Sequence, residues 1–253
     1  MKVTLLAHTQ VSDEFVNEVG AVLPMDMLDK LASGDITDAQ LVALTAIRTC
    51  YSPNKPSEIV SLEGGKYFGA KATDGKEGTE ADRLIRHVLG SKHLSTVEHL
   101  NFTFAIEGVS RALLAQLTRH RVGFAYSVQS QRYVKFSSDS KSGGFDYVVP
   151  EKVINKGADT ANFYLYAMKN IQYFYDELIE MGIPQEDARS VLPQSATCNL
   201  VLTVNLRALL DFYAKRRAGK GAQQEITVLA EELKNKVVGV EPWTAAFFGG
   251  GSK

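Results

Sequence analysis

Residues 100–107, Leu-Asn-Phe-Thr-Phe-Ala-Ile-Glu, alternate apolar and polar side chains. A period of two puts the apolar side chains on one face of an extended chain, so the segment predicts a half-buried strand. Just beyond it the period changes. Ser110 stands as a helix N-cap, and Val109, Leu113, Leu114 and Leu117 line a core face of a helix running to about Arg121. A one-faced strand feeding an amphipathic helix calls for a sheet with helices packed on it.

The rest of the chain fits that plan. Val3 to Ala7 predicts a first strand, and Thr37 to Tyr51 a helix with Asp38 at its N-cap. Residues 52–79, with prolines and glycines, predict a long loop with one short element between Glu58 and Leu62. Thr79 to Ser91 predicts a second helix, and residues 131–136 have strand character. Ser137 to Gly144 is a polar loop, and Phe145 to Val149 is an apolar run ended by Pro150. Helices are expected over Asp159 to Met181, after Pro184, and over Asn205 to Arg217 and Ala222 to Val238. Leu200 to Val204 is a short apolar run. The fold class is therefore α+β: a mixed sheet packed with helices and a largely helical second half. A single domain over residues 1–253 is expected, with 53–79 and 137–145 as loops.

The net charge of −1 sets up no global field toward nucleic acid or membrane, so any anion site must be a local cluster. Two cysteines, Cys50 and Cys198, make neither a disulfide framework nor a zinc set and suit a reducing cytosol. The apolar start is too short for a signal-peptide core, and no run approaches a membrane span. A cytoplasmic location is expected.

One stretch concentrates chemistry. Residues 119–133 read Arg-His-Arg-Val-Gly-Phe-Ala-Tyr-Ser-Val-Gln-Ser-Gln-Arg-Tyr. Arginine offers a planar fork of donors that matches phosphate oxygens two at a time. Ser and Gln supply orientable donors and acceptors for a heterocycle or a sugar. A solvated basic patch is the plain alternative. Stacking on Tyr126, Tyr133 and Phe136 among Arg119, Arg121, Arg132 and Lys135 would suit single-stranded nucleic acid, against which the net charge argues. Residues 93–99, His-Leu-Ser-Thr-Val-Glu-His, lack the spacing and third ligand of a zinc site and could equally cap a helix. Arg189 alone reads as a surface ion-pair partner. The run from Asn205 and Arg207 to Arg217 reads as a solvated basic helix face. No G-x-G-x-x-G unit is present, so a separate dinucleotide domain is not expected.

Taken together, RHR, eight residues and then SQRY resemble the signature of the flavin-dependent (alternative) thymidylate synthases. KHLSTVEHLNFTF is similar to that family's H-x-[ST]-x-x-E-H stretch, and the Ala188–Pro193 block and the TVNLR element recur there in the same order. The likeness starts at Ala46-Ile47-Arg48-Thr49-Cys50-Tyr51-Ser52 and continues to Ile226. It implies dUMP contacts at Gln116, Ser130, Gln131, Arg132, Arg189 and Arg216, with Arg189 and Arg216 catalytic. It implies FAD contacts at His93, Ser95, Glu98, Arg119, His120, Arg121, Asn205, Arg207 and Asp211, and no metal. The implied reaction is reductive methylation of dUMP to dTMP, with methylenetetrahydrofolate as carbon donor and FAD, reduced by NADPH, as hydride donor. No cysteine nucleophile is implied, and the active sites would be shared within a homotetramer. The chain departs from the pattern at Gln224, where the family commonly has Trp. It departs also at Lys220-Gly221 and Asp211, and at the acidic position near Val128 and Gln129. Another acceptor in place of dUMP is a second reading of the same scaffold.

Overall fold

A computed structural model describes residues 1–249. The strands are β1 (Lys2–His8), β2 (Asn101–Ser110), β3 (Phe124–Val128) and β4 (Thr197–Asn205). The helices are α1 (Asp13–Gly20), α2 (Met25–Ser33), α3 (Asp38–Thr49), α4 (Ile59–Phe68), α5 (Glu80–Gly90) and α6 (Arg111–Leu117). Then follow α7 (Glu151–Asn155), α8 (Ala158–Glu180), α9 (Gln185–Ala188), α10 (Leu206–Arg216), α11 (Gln224–Val240) and α12 (Ala245–Phe248). Among the described residues no helix is long and apolar enough to cross a membrane.

The strands form one sheet in the order β1-β2-β4-β3. It is antiparallel, a simpler arrangement than the mixed sheet expected. The alternation read in residues 100–107 is its central feature: Phe102, Phe104 and Ile106 are buried, as are Leu200, Leu202 and Val204 on β4. The strand runs on to Ser110, whose hydroxyl accepts from Leu113 N at 3.0 Å and starts α6.

Contacts divide the chain into two compact units. One comprises Met1–Thr4, Phe104–Leu202 and Lys215–Glu232; a core of Phe136, Phe145, Met168, Tyr175, Ala188 and Ala196 lies within it. Its longest helix, α8, buries Met168 and Tyr175 on one side. On the other it exposes Phe163 (73%), Tyr166 (65%), Tyr173 (56%) and Phe174 (53%). The second unit comprises Leu5–Thr103, Thr203–Ala214 and residues 233–249. Val19, Met27, Leu41, Leu44, Val60 and Phe68 are among its core residues.

Several expectations are corrected. Thr37, not Asp38, caps α3: its hydroxyl accepts from Gln40 N at 3.3 Å, and Gln40 Oε1 accepts from Thr37 N at 2.9 Å, a reciprocal capping box. Asp38 instead accepts from Val11 N at 3.2 Å. The loop expected over 53–79 contains a 3-10 turn at Pro56–Glu58 and α4, so only residues 53–55 and its latter part are irregular. Residues 131–136 form no strand; β3 lies at Phe124–Val128, and Gln129 N donates to Asn199 O at 2.8 Å at its end. Helix α6 stops at Leu117, ahead of Arg121.

Candidate functional site

The early end of α6 sets the RHR run on a turn. Thr118 Oγ1 donates back to the Leu114 carbonyl at 2.9 Å, and Gly123, at φ 75°, turns the chain into β3. The Tyr126 hydroxyl, from β3, donates to the carbonyls of Leu117 and His120 at 3.0 and 2.6 Å. Burial pushes that phenol's pKa well up, so it remains a donor. Arg119 and Arg121 are exposed. No side chain among the described residues pairs with either guanidinium, so both forks are open to an anion.

In the same unit Gln116, His120 and Arg216 form one network. Arg216 Nε donates to His120 Nε2 at 3.1 Å, and its Nη2 donates to the Gln116 carbonyl at 3.4 Å. The guanidinium is thereby fixed in plane while further N–H groups remain. Gln116 Nε2 donates to Gln223 Oε1 at 2.5 Å.

Arg132 and Arg189 meet at one residue. Arg132 Nε and Nη2 each lie 3.1 Å from Glu186 Oε2, and Arg189 Nε donates to the Glu186 carbonyl at 2.9 Å. Gln185 Nε2 donates to the Arg132 carbonyl at 2.5 Å, closing the link from the other side. Ser130 Oγ accepts from Arg132 N at 3.1 Å and sets the turn that carries it. Gln131 is half-buried beside it. The SQR and Ala188–Pro193 blocks, remote in sequence, are thus one local structure.

The second unit joins two other blocks. His93, Ser95 and Glu98 sit on and around the short 3-10 turn Leu94–Val97. Glu98 forms an ion pair with Arg207 on α10. Asn205 Oδ1 accepts from Ala208 N at 2.9 Å and so caps α10, while Asp211 lies exposed further along it. His93 Nδ1 lies 2.9 Å from the Tyr51 hydroxyl. The loop bearing Tyr51 is tied down by Glu63, which accepts from Arg48, Ser52 and Asn54. Burial pushes the Glu63 pKa up, but these hydrogen bonds and the Arg48 charge leave it below its ordinary value.

Sequence reasoning gave no role to Glu186, Gln223 or Tyr51, the last named only as part of the Ala46–Ser52 block. Each is an ordinary polar residue whose role appears only when a distant block arrives beside it. Two clefts, of about 760 Å³ in the first unit and about 620 Å³ in the second, are lined by none of the residues expected at the site. Gln223 and Gln224 line the larger one. Cys198 is buried in β4, where burial raises its thiol pKa; Arg111 lowers it and Glu225 raises it by lesser effects. Cys50 is exposed at the end of α3.

The model of the family described as Thymidylate synthase complementing protein matches residues 33–243. The flavin-dependent thymidylate synthase of Geobacter sulfurreducens is 42% identical over 164 residues, covering 65% of this chain and 68% of its own. That of Haloarcula marismortui is 34% identical over 229 residues, covering 83% and 84%. The UMP/dUMP methylase PolB from Streptomyces cacaoi, bound with 5-Br dUMP, aligns with a TM-score of 0.68 at 20% identity, over 98% of this chain and 94% of that one. The flavin-dependent thymidylate synthase ThyX from Helicobacter pylori, complexed with FAD and dUMP, aligns with a TM-score of 0.61 at 24% identity, over 98% of each chain. The two structural matches are likenesses of fold.

Proposed function

The chain belongs to the flavin-dependent thymidylate synthase family, and on that premise we propose that it methylates dUMP to dTMP with methylenetetrahydrofolate as carbon donor and FAD, reduced by NADPH, as hydride donor. The observation that carries the reading is the joining of Arg132 to Arg189 through Glu186, which gathers two phosphate- and pyrimidine-type arginines from separate blocks.

Carbon 5 of a uracil becomes nucleophilic when charge can move onto the ring oxygens. Arg189 and Arg216 are the donors for that charge. Each is held by bonds from Nε, so little reorganisation is needed as charge develops. Arg132 and Ser130 hold the nucleotide phosphate, and Gln116 and Gln131 contact the same nucleotide. Arg119, His120 and Arg121 are flavin contacts in one unit, and His93, Ser95, Glu98, Asn205, Arg207 and Asp211 are flavin contacts in the other. The open forks of Arg119 and Arg121 fit a pyrophosphate. Bound FAD supplies hydride transfer. A neutral, buried Cys198 thiol is a poor nucleophile, which supports a route without a cysteine adduct.

The functional form is a cytoplasmic homotetramer with shared active sites. The exposed aromatic stripe of α8, at helical spacing on a helix already packed on its other side, supports burial against another copy. The test is to incubate the protein with FAD, NADPH, methylenetetrahydrofolate and dUMP and to identify the nucleotide by mass. Formation of dTMP that depends on NADPH and folate is expected. Folded, flavin-loaded protein that makes none moves the scaffold to another acceptor.

A further inference from the structure

Gln116 lies on α6 and Gln223 just ahead of α11, and the bond between them decides how Gln116 faces. Its Nε2 donates both to Gln223 Oε1 at 2.5 Å and to the Ala112 carbonyl at 3.3 Å. A backbone carbonyl only accepts, so turning the amide over would set oxygen against oxygen at Ala112. Both amide hydrogens are used inside the protein. No group among the described residues donates to the Gln116 side-chain oxygen.

Gln223 is itself held. Its carbonyl accepts from Thr227 N and Thr227 Oγ1, each at 3.1 Å. The same hydroxyl reaches the Arg216 carbonyl at 3.0 Å, and Arg216 returns to the Gln116 carbonyl through Nη2. Gln116, Gln223, Thr227 and Arg216 thus close a loop of contacts within one unit.

We propose that Gln223 is a positioning residue that holds Gln116 with its oxygen outward, so that Gln116 recognises the nucleotide by accepting from a ligand donor. This rests on the proposed contact between Gln116 and dUMP. The donor is the ring N3–H of uracil or a sugar hydroxyl. In the first case the device also selects against cytosine, which presents an acceptor at N3.

The experiment uses flavin-loaded full-length protein and measures dUMP affinity calorimetrically for the parent, Gln116→Ala, Gln223→Ala and the double variant. Each single change weakens binding about 5- to 10-fold, and the double is no weaker than Gln116→Ala alone. Gln223→Glu keeps an acceptor toward Gln116 and restores most of the affinity. In turnover, Gln223→Ala raises KM for dUMP and leaves kcat within about 2-fold, with flavin content unchanged. N3-methyl-dUMP and the 3′-deoxy nucleotide separate the two donors: the analogue lacking the true donor binds the parent weakly and loses nothing further in Gln116→Ala. If Gln116→Ala weakens dUMP and Gln223→Ala does not, the positioning role is overturned. If Gln116→Ala binds dUMP as the parent does, the contact beneath it falls instead.

Discussion

Glu225 grips Ser110 twice, its Oε1 accepting from the Ser110 backbone N–H at 2.8 Å and its Oε2 from the Ser110 hydroxyl at 2.5 Å. That hydroxyl also caps α6, so the first turn of α11 is fastened to the start of the helix that carries Gln116. Glu225 therefore serves the scaffold. Ser110→Ala removes the cap and strips Glu225 of one partner, and a loss of about 2–4 kcal/mol is expected. Glu225→Gln, which can still accept once, costs less. Urea unfolding of the two variants measures the order, and a neutral Ser110→Ala would contradict it.

Arg189→Ala is expected to fold and to retain flavin while kcat/KM for dUMP falls about 10²- to 10³-fold. Arg189→Lys recovers little, because an ammonium cannot reproduce the planar fork fixed by the Glu186 carbonyl. Steady-state kinetics beside flavin absorbance decide this, and full activity in the alanine variant ends the assigned role.

A Cys50→Ala, Cys198→Ala variant should stay active. Cys198→Ala leaves a small cavity in β4, so a modest fall in Tm is expected with dTMP formation intact. A variant that folds and binds dUMP and flavin yet makes no dTMP would restore a thiol mechanism.

Glu241 is fully buried, and burial raises its pKa above the ordinary 4.5, although hydrogen bonds from Thr37 and Trp243 and the charge of His8 pull it down. Its Oε1 has no hydrogen-bond donor, and His8 Nδ1 lies 3.7 Å away, also unsatisfied. A raised carboxylate pKa means the folded state holds the proton more tightly than the unfolded chain. Its contribution is then most favourable below the unfolded value and declines as pH rises through that value to the folded one. Glu241→Gln keeps an acceptor for Thr37 and Trp243 and removes the buried charge. It should be about 1 kcal/mol more stable than the parent at neutral pH, with the gap closing below about pH 4.5. Thermal unfolding between pH 4 and 8 shows this directly; a less stable variant at neutral pH would reverse the assignment.

Periodic elements were legible because burial enforces them: Phe102, Phe104 and Ile106 alternate since one face of β2 is covered. Helix α4 was hidden by Gly64-Gly65. Gly64 nonetheless lies within the helix, packed against the tip of Met27 on α2, which a Cβ there would meet at 2.6 Å. β3 and residues 131–136 have similar local character, and pairing with β4 picks the former, a choice no local pattern contains. The sequence blocks that carry Arg132 and Arg189 were legible as motifs, and the structure brings them to one residue. Their anchors were not legible, since Glu186 and Gln223 take on roles only through contacts with distant segments.

Glu186 gives Arg132 a resident counter-ion. An anion arriving at Arg132 finds a carboxylate already there, tethered at high effective concentration, and binding becomes an exchange. A dianionic phosphate that also engages neighbouring donors can displace such an occupant. On the proposed assignment of Arg132 to the nucleotide phosphate, the ion pair is an internal competitor, setting a threshold of charge and shape that the incoming ligand must exceed.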